Sequence, residues 1–121
     1  MNLLKQLSQQ LEALVQKTSP AVVGVLRGQG QATGVVLAQD GYVLTNAHVV
    51  EGARRMSARM NDGDEHRAHV VGADERTDLA VLKLDTNHLP TLPLADSREV
   101  NVGQLVVAIG NPYRFERSVS L

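Results

Sequence analysis

The feature that most constrains the fold is a change of periodicity at Ser19-Pro20. Before it, Leu3, Leu4, Leu7, Leu11, Leu14 and Val15 recur at helical spacing with glutamines and charges between them, which predicts an amphipathic helix over residues 1–18. Ser19-Pro20 ends it, because the residue before a proline is pushed out of the helical region. From Ala21 onward the apolar residues gather into short, valine-rich runs. Strands are expected over residues 21–26, 34–37, 42–44, 54–60, 65–73, 79–84 and 104–110. Between them lie turn signals: Gly28-Gln29-Gly30, Asp40-Gly41, Asp62-Gly63 and a loop with Pro90 and Pro93. An Asp-Gly pair suits a hairpin turn that needs positive φ. Roughly six short strands punctuated in this way argue for a mostly β fold, a single six-stranded antiparallel Greek-key barrel preceded by the helix. The leucine stripe is expected to pack on that barrel.

The chain of 121 residues fits one small domain with a real core. A formal net charge of -1 gives no pull toward nucleic acid or an anionic membrane. With one phenylalanine and two tyrosines, a base-stacking platform is hard to build. The absence of cysteine excludes disulfides and thiolate metal sites. No apolar run is long enough to span a bilayer as a helix. Residues 1–17 do not form a secretory leader either, since Lys5, Gln6, Gln9, Gln10 and Glu12 interrupt the leucines. The compartment therefore stays open.

Chemistry concentrates in two segments. Thr45-Asn46-Ala47-His48-Val49-Val50 places a histidine just after an expected strand. Thirty residues later, Thr77-Asp78-Leu79-Ala80-Val81-Leu82 places an aspartate at the start of another. Strand ends are rigid supports that present side chains into a cleft. A histidine there can take a proton near neutral pH, and a carboxylate on its other ring nitrogen fixes the tautomer and stabilises the imidazolium. By residue type and spacing alone, the pair fits either catalysis or a satisfied structural contact.

The wording around the pair goes further. These two segments resemble the histidine and aspartate motifs of trypsin-like serine proteases of the HtrA (Deg) type. The likeness continues through Leu92-Pro93-Leu94-Ala95-Asp96-Ser97, Val102-Gly103-Gln104 and Ala108-Ile109-Gly110-Asn111-Pro112, in the family's order. The resemblance implies two six-stranded barrels with the triad in the cleft between them. His48 and Asp78 would be catalytic residues of the first barrel, over residues 19–112, and residues 113–121 would begin the second. The alternation of Phe115, Arg117, Val119 and Leu121 with polar residues reads as that opening strand. The family's Gly-Asn-Ser-Gly-Gly type of serine turn has no counterpart. Ser8, Ser19, Ser57, Ser97, Ser118 and Ser120 all lack flanking glycines. No downstream PDZ domain is present, and the oxyanion hole and specificity pocket would come from the second barrel.

Other clusters carry less. His66 and His69 are three apart on an expected strand and point to opposite faces, which disfavours shared metal ligation. His88 falls in a loop. Gly28-Gln29-Gly30 lacks the rest of a phosphate-loop pattern. Arg54, Arg55, Arg59 and Arg67 read as a solvated barrel face. No cofactor or metal is expected.

Two functions of different class follow. In one, the chain is the N-terminal half of a serine endopeptidase acting on polypeptides, inactive alone for want of the nucleophile and present as a fragment of a longer enzyme. In the other, it is a catalytically dead half-barrel that binds a partner protein. HtrA relatives are often periplasmic or extracytoplasmic. They often trimerise through aromatic residues in an N-terminal segment, and the helix here has none. Its leucine face, the uncovered barrel surface and an unpaired tail strand together predict a homodimer.

Overall fold

The structure, a computed structural model, describes residues 2–53, 55–110 and 118–120. The helix forms as expected, as α1 (Leu3–Thr18). Asn2 caps its start, with the side-chain oxygen accepting from the N–H groups of Leu4 and Lys5 at 3.0 and 3.4 Å. At its end the hydroxyls of Thr18 and Ser19 donate back to the carbonyls of Leu14 and Val15 at 2.8 and 2.6 Å. Pro20 then sits in a single 3₁₀ turn, Ser19–Ala21.

Packing of α1 on the barrel, however, is corrected by the structure. No residue of α1 is buried, and only Leu11, Val15 and Thr18 are half-buried. Leu3 and Leu4 remain 81% and 71% exposed. The reason lies in the topology: the sheet closes on itself and fills its own interior, so no open apolar face is left to receive a helix.

The barrel comprises β1 (Val22–Arg27), β2 (Gly30–Ala38), β3 (Tyr42–Thr45), β4 (Arg55–Arg59), β5 (Glu65–Asp74) and β6 (Leu79–Leu84). Its strands run antiparallel in the closed order β1-β2-β3-β6-β5-β4. β3 lies beside β6 rather than β4, which is a Greek-key connection. Alternate residues point inward, and the interior is filled by Val23, Val25, Val36, Val43, Ala58, Ala68, Ala80, Leu82 and Leu84. Each fully buried valine or leucine contributes about 1.5–3 kcal/mol over exposure. Where facing valines crowd together, Gly34 takes the inward position: a Cβ there would lie 2.7 Å from Val43 Cγ1 and 3.0 Å from Val25 Cγ2.

The turns follow their residues. Gly41 has φ +105, and a Cβ on it would meet the carbonyl oxygens of Leu84 and Thr86 at 2.8 Å. The Asp40-Gly41 hairpin thus tucks against the end of β6, where the Leu84 N–H donates to the Gly41 carbonyl at 2.8 Å. At Asp62-Gly63 the Asp64 N–H donates to Asp62 Oδ1 at 3.0 Å, an Asx turn between β4 and β5.

Three expectations change at the edges of elements. β2 begins at Gly30, not Gly34, because the β1–β2 hairpin turns on Gly28 and Gln29 alone. The strand expected over 104–110 shortens to β7 (Ala108–Gly110), which stays out of the barrel because a closed sheet offers no edge to join. The tail strand, β8 (Ser118–Ser120), is not unpaired: its backbone runs antiparallel to β7, with Ile109 opposite Val119. Arg54, Asn111, Pro112, Phe115, Arg117 and Leu121 fall outside the described residues.

Candidate active site

The register of two strands brings the histidine and aspartate segments together. In the β3–β6 ladder Thr45 pairs with Ala80, so the chain leaving β3 and the chain entering β6 run side by side at one rim of the barrel. Thr45 is buried and its hydroxyl donates to the Thr33 carbonyl at 2.8 Å, anchoring the end of β3. Three residues on, His48 lies in α2 (Ala47–Val50), a single helical turn.

Asp78 is presented by the β5–β6 turn. A bulge at Val71 shifts the β5–β6 register between Val70 and Gly72, bending the strand before the turn. Asp74 then organises it, accepting from the Arg76 N–H at 3.0 Å through its carboxylate and from the Thr77 hydroxyl at 3.4 Å through its carbonyl. Asp78 itself has φ +57, a left-handed conformation that aspartate tolerates better than most residues. Strain of this kind gathers at functional sites.

The carboxylate of Asp78 holds His48 at two points. Oδ1 accepts the His48 backbone N–H at 2.9 Å, and His48 Nδ1 lies 2.8 Å from Oδ2 and 3.0 Å from Oδ1. The Asp78 carbonyl accepts the Ala47 N–H at 3.1 Å and the Asn46 Nδ2 at 3.1 Å. Asp78 therefore caps both leading N–H groups of α2 from outside the helix. Donation by the His48 N–H, and then by its ring, keeps the Asp78 carboxyl below its ordinary value of 3.8. An ionised carboxylate only accepts, so Nδ1 carries a proton, and in the neutral ring the lone pair is then on Nε2. The His48 side chain is 69% exposed, which leaves Nε2 open to a reactant.

His48 stands between two surface depressions. One is bordered by Glu51, Ala53, Val70, Glu75 and Asp78, the other by Arg27, Ala32, Thr33, Asn46 and Val49. Arg27 reaches across the second to donate to the Val49 carbonyl at 3.3 Å, which ties the end of β1 to α2.

The remaining clusters do not join the site. His66 and His69 take opposite faces of β5, with His66 half-buried and His69 exposed, and His66 Nδ1 lies 3.9 Å from Asp85 Oδ1. His88 is in a loop at φ +59. Arg59 bridges to Glu65 across the β4–β5 ladder at 2.7 Å, while Arg55 and Arg67 are exposed. Among the described residues no three histidine, aspartate or glutamate side chains converge, and no helix is long and apolar enough to cross a membrane. Ser57 lies in β4, and Ser19 is buried with its hydroxyl on the Val15 carbonyl. Asn46 and Asp74 are site residues that spacing alone does not single out. Their signal is an Asx residue two positions ahead of His48 and four ahead of Asp78.

A closed Greek-key barrel with a histidine after its third strand and an aspartate before its sixth has the architecture of a trypsin-like first barrel. The chain belongs to the trypsin-like peptidase family, whose domain description matches residues 32–121. Its relatives are of the Deg type. A probable periplasmic serine endoprotease (DegP-like) of Halomonas elongata is 52% identical over 88 residues, covering 73% of this chain and 19% of that protein. The serine endoprotease DegS of Haemophilus influenzae is 38% identical over 121 residues, covering 88% of this chain and 36% of that protein. The crystal structure of the serine endoprotease from Yersinia pestis superposes with a TM-score of 0.80 at 39% identity, over 89% of this chain and 41% of that one. The chain thus spans a fifth to two-fifths of the proteins it matches.

Proposed function

We propose that this barrel supplies the general base of a serine endopeptidase acting on polypeptides, with His48 as base and Asp78 as its orienting partner. The observation that carries this is the Nδ1–carboxylate contact at 2.8 Å beside an exposed imidazole. A serine hydroxyl brought to Nε2 would attack the peptide carbonyl while its proton passes to that nitrogen. Asp78 would hold the resulting imidazolium by charge and hydrogen bond. Collapse of the tetrahedral intermediate would return the proton to the leaving amine, and water would release the acyl group by the same route. None of the chain's serines is flanked by glycine, so the nucleophile has to come from further polypeptide. The β7–β8 ladder, separate from the barrel, suits the opening of a second barrel that would carry it.

The test is a chimera in which this chain replaces the matching segment of the Halomonas relative. Cleavage of denatured casein that is lost in His48→Ala is the expected result. A folded but inactive chimera, or cleavage that survives His48→Ala, would overturn the proposal. The 121-residue chain by itself should give the same background with and without His48.

Self-association is proposed on narrower ground than the sequence suggested. β8 pairs with β7, so the unpaired tail falls away as a ground, and the proposal rests on α1, where Leu4, Leu7, Leu11 and Leu14 fall at the 3-4-3 spacing of a coiled-coil seam. A second copy of the chain is its proposed occupant.

A further inference from the structure

We infer that Asn46 is a positioning residue for the His48–Asp78 pair, acting through the backbone carbonyl of Asp78. The inference rests on the pairing of His48 and Asp78 proposed above. Asn46 occupies the N-cap of α2, where an asparagine ordinarily turns its side-chain oxygen onto the first free N–H groups of the helix. It makes no such bond here. Its amide nitrogen instead donates to the Asp78 carbonyl at 3.1 Å. The capping is done by Asp78, which accepts the Ala47 N–H on that same carbonyl and the His48 N–H on its carboxylate.

This exchange of roles fixes a direction. Two donors on one carbonyl oxygen pin the peptide plane that follows Asp78, at a residue whose φ of +57 few side chains adopt. With φ and that plane held, the Cα–Cβ bond of Asp78 aims its carboxylate at His48 Nδ1. Thr45, buried and bonded to the Thr33 carbonyl, fixes the backbone from which Asn46 reaches. The side chain itself is specified. Aspartate would set a carboxylate oxygen against the carbonyl, and serine or threonine, though good caps, is one atom short of it. Among the residues favoured at an N-cap, only asparagine brings an N–H donor.

The experiment is NMR of the ¹⁵N-labelled 121-residue chain, following the His48 Nδ1–H proton and its exchange with water. In Asn46→Asp, and in Asn46→Ala should the first variant fold poorly, that signal is expected to disappear or to exchange about tenfold faster, as befits one lost hydrogen bond. Ring signals of His66, His69 and His88 and the barrel amides should stay in place, which a general loss of structure would not allow. A folded variant of either kind that keeps the wild-type Nδ1–H signal and exchange rate would overturn the role of Asn46 alone. A wild-type chain with no such signal would overturn the His48–Asp78 pairing and this inference with it.

Discussion

Asp78 grips His48 through two atoms at once, its Oδ1 on the backbone N–H at 2.9 Å and its Oδ2 on the ring Nδ1 at 2.8 Å. The same residue that would orient the base also caps the helix bearing it, so placement and chemistry are coupled. Asp78→Asn separates them. Its amide oxygen can still accept the backbone N–H, but the NH₂ group then faces Nδ1 and drives the ring to the Nε2–H tautomer, which cannot take a proton from serine. In the chimera, kcat for casein peptides should fall about 10⁴-fold with KM nearly unchanged. ¹⁵N shifts of the His48 ring in the isolated chain should report the tautomer change, and an unchanged tautomer would contradict the assignment.

Acid sensitivity follows from the same contact. Hydrogen bonding from the His48 N–H, then from its ring, depresses the Asp78 carboxyl below 3.8. A depressed folded value means stability that is fully present above the unfolded value and lost as pH falls through the folded one. Urea midpoints of the wild type and Asp78→Ala should therefore differ by a steady amount around pH 5 and converge below 3.8. The Asp96–Arg98 bridge, whose carboxyl is depressed in the same direction by Arg98, is present in both chains and cancels in the comparison. A gap between the two curves that ignores pH across this range would refute the shift.

Gly34 offers a test of the core that leaves the site untouched. It is buried, and an added methyl would sit 2.7 Å from Val43 and 3.0 Å from Val25, both fully buried themselves. Overpacking of this kind costs about 1–3 kcal/mol. Gly34→Ala should lower the unfolding free energy by that amount, read from the fall in the chemical-denaturation midpoint, with the His48 ring signals unchanged at temperatures where the variant is folded. A variant as stable as the wild type would mean that the barrel has slack at Val43.

Much of this was legible in the sequence because local rules and global fold agree along the six barrel strands. Valine-rich runs between turn signals marked strands, and Asp40-Gly41 falls where Gly41 needs positive φ and a bare Cα. Contacts that depend on closure were not legible. The barrel was expected, but nothing near Arg55 announces that β4 is the strand that pairs with β1 to close it, and that closure is what denies α1 a face to pack on. At the candidate site, His48 and Asp78 stood out through their flanking motifs. The left-handed backbone of Asp78 and the diversion of Asn46 from capping did not, because both arise from the Thr45–Ala80 register rather than from neighbours in sequence.

The exposed seam of α1 should bring two chains together. A helix of 16 residues is marginal in water unless its apolar face is covered, and here the barrel does not cover it. Leu4 and Leu14 are 71% and 41% exposed, and the seam carries no charge: Lys5, Glu12 and Lys17 lie beside it, not on it. Sedimentation of the chain at micromolar concentration should give a mass above that of the monomer. Leu4→Lys with Leu14→Lys preserves helix propensity and changes no barrel residue, yet places like charges on both facing helices. That double variant should sediment as a monomer while its barrel unfolds at the wild-type denaturant midpoint. A wild-type chain that is already monomeric would show that α1 finds its cover elsewhere, and the seam would not be a self-association site.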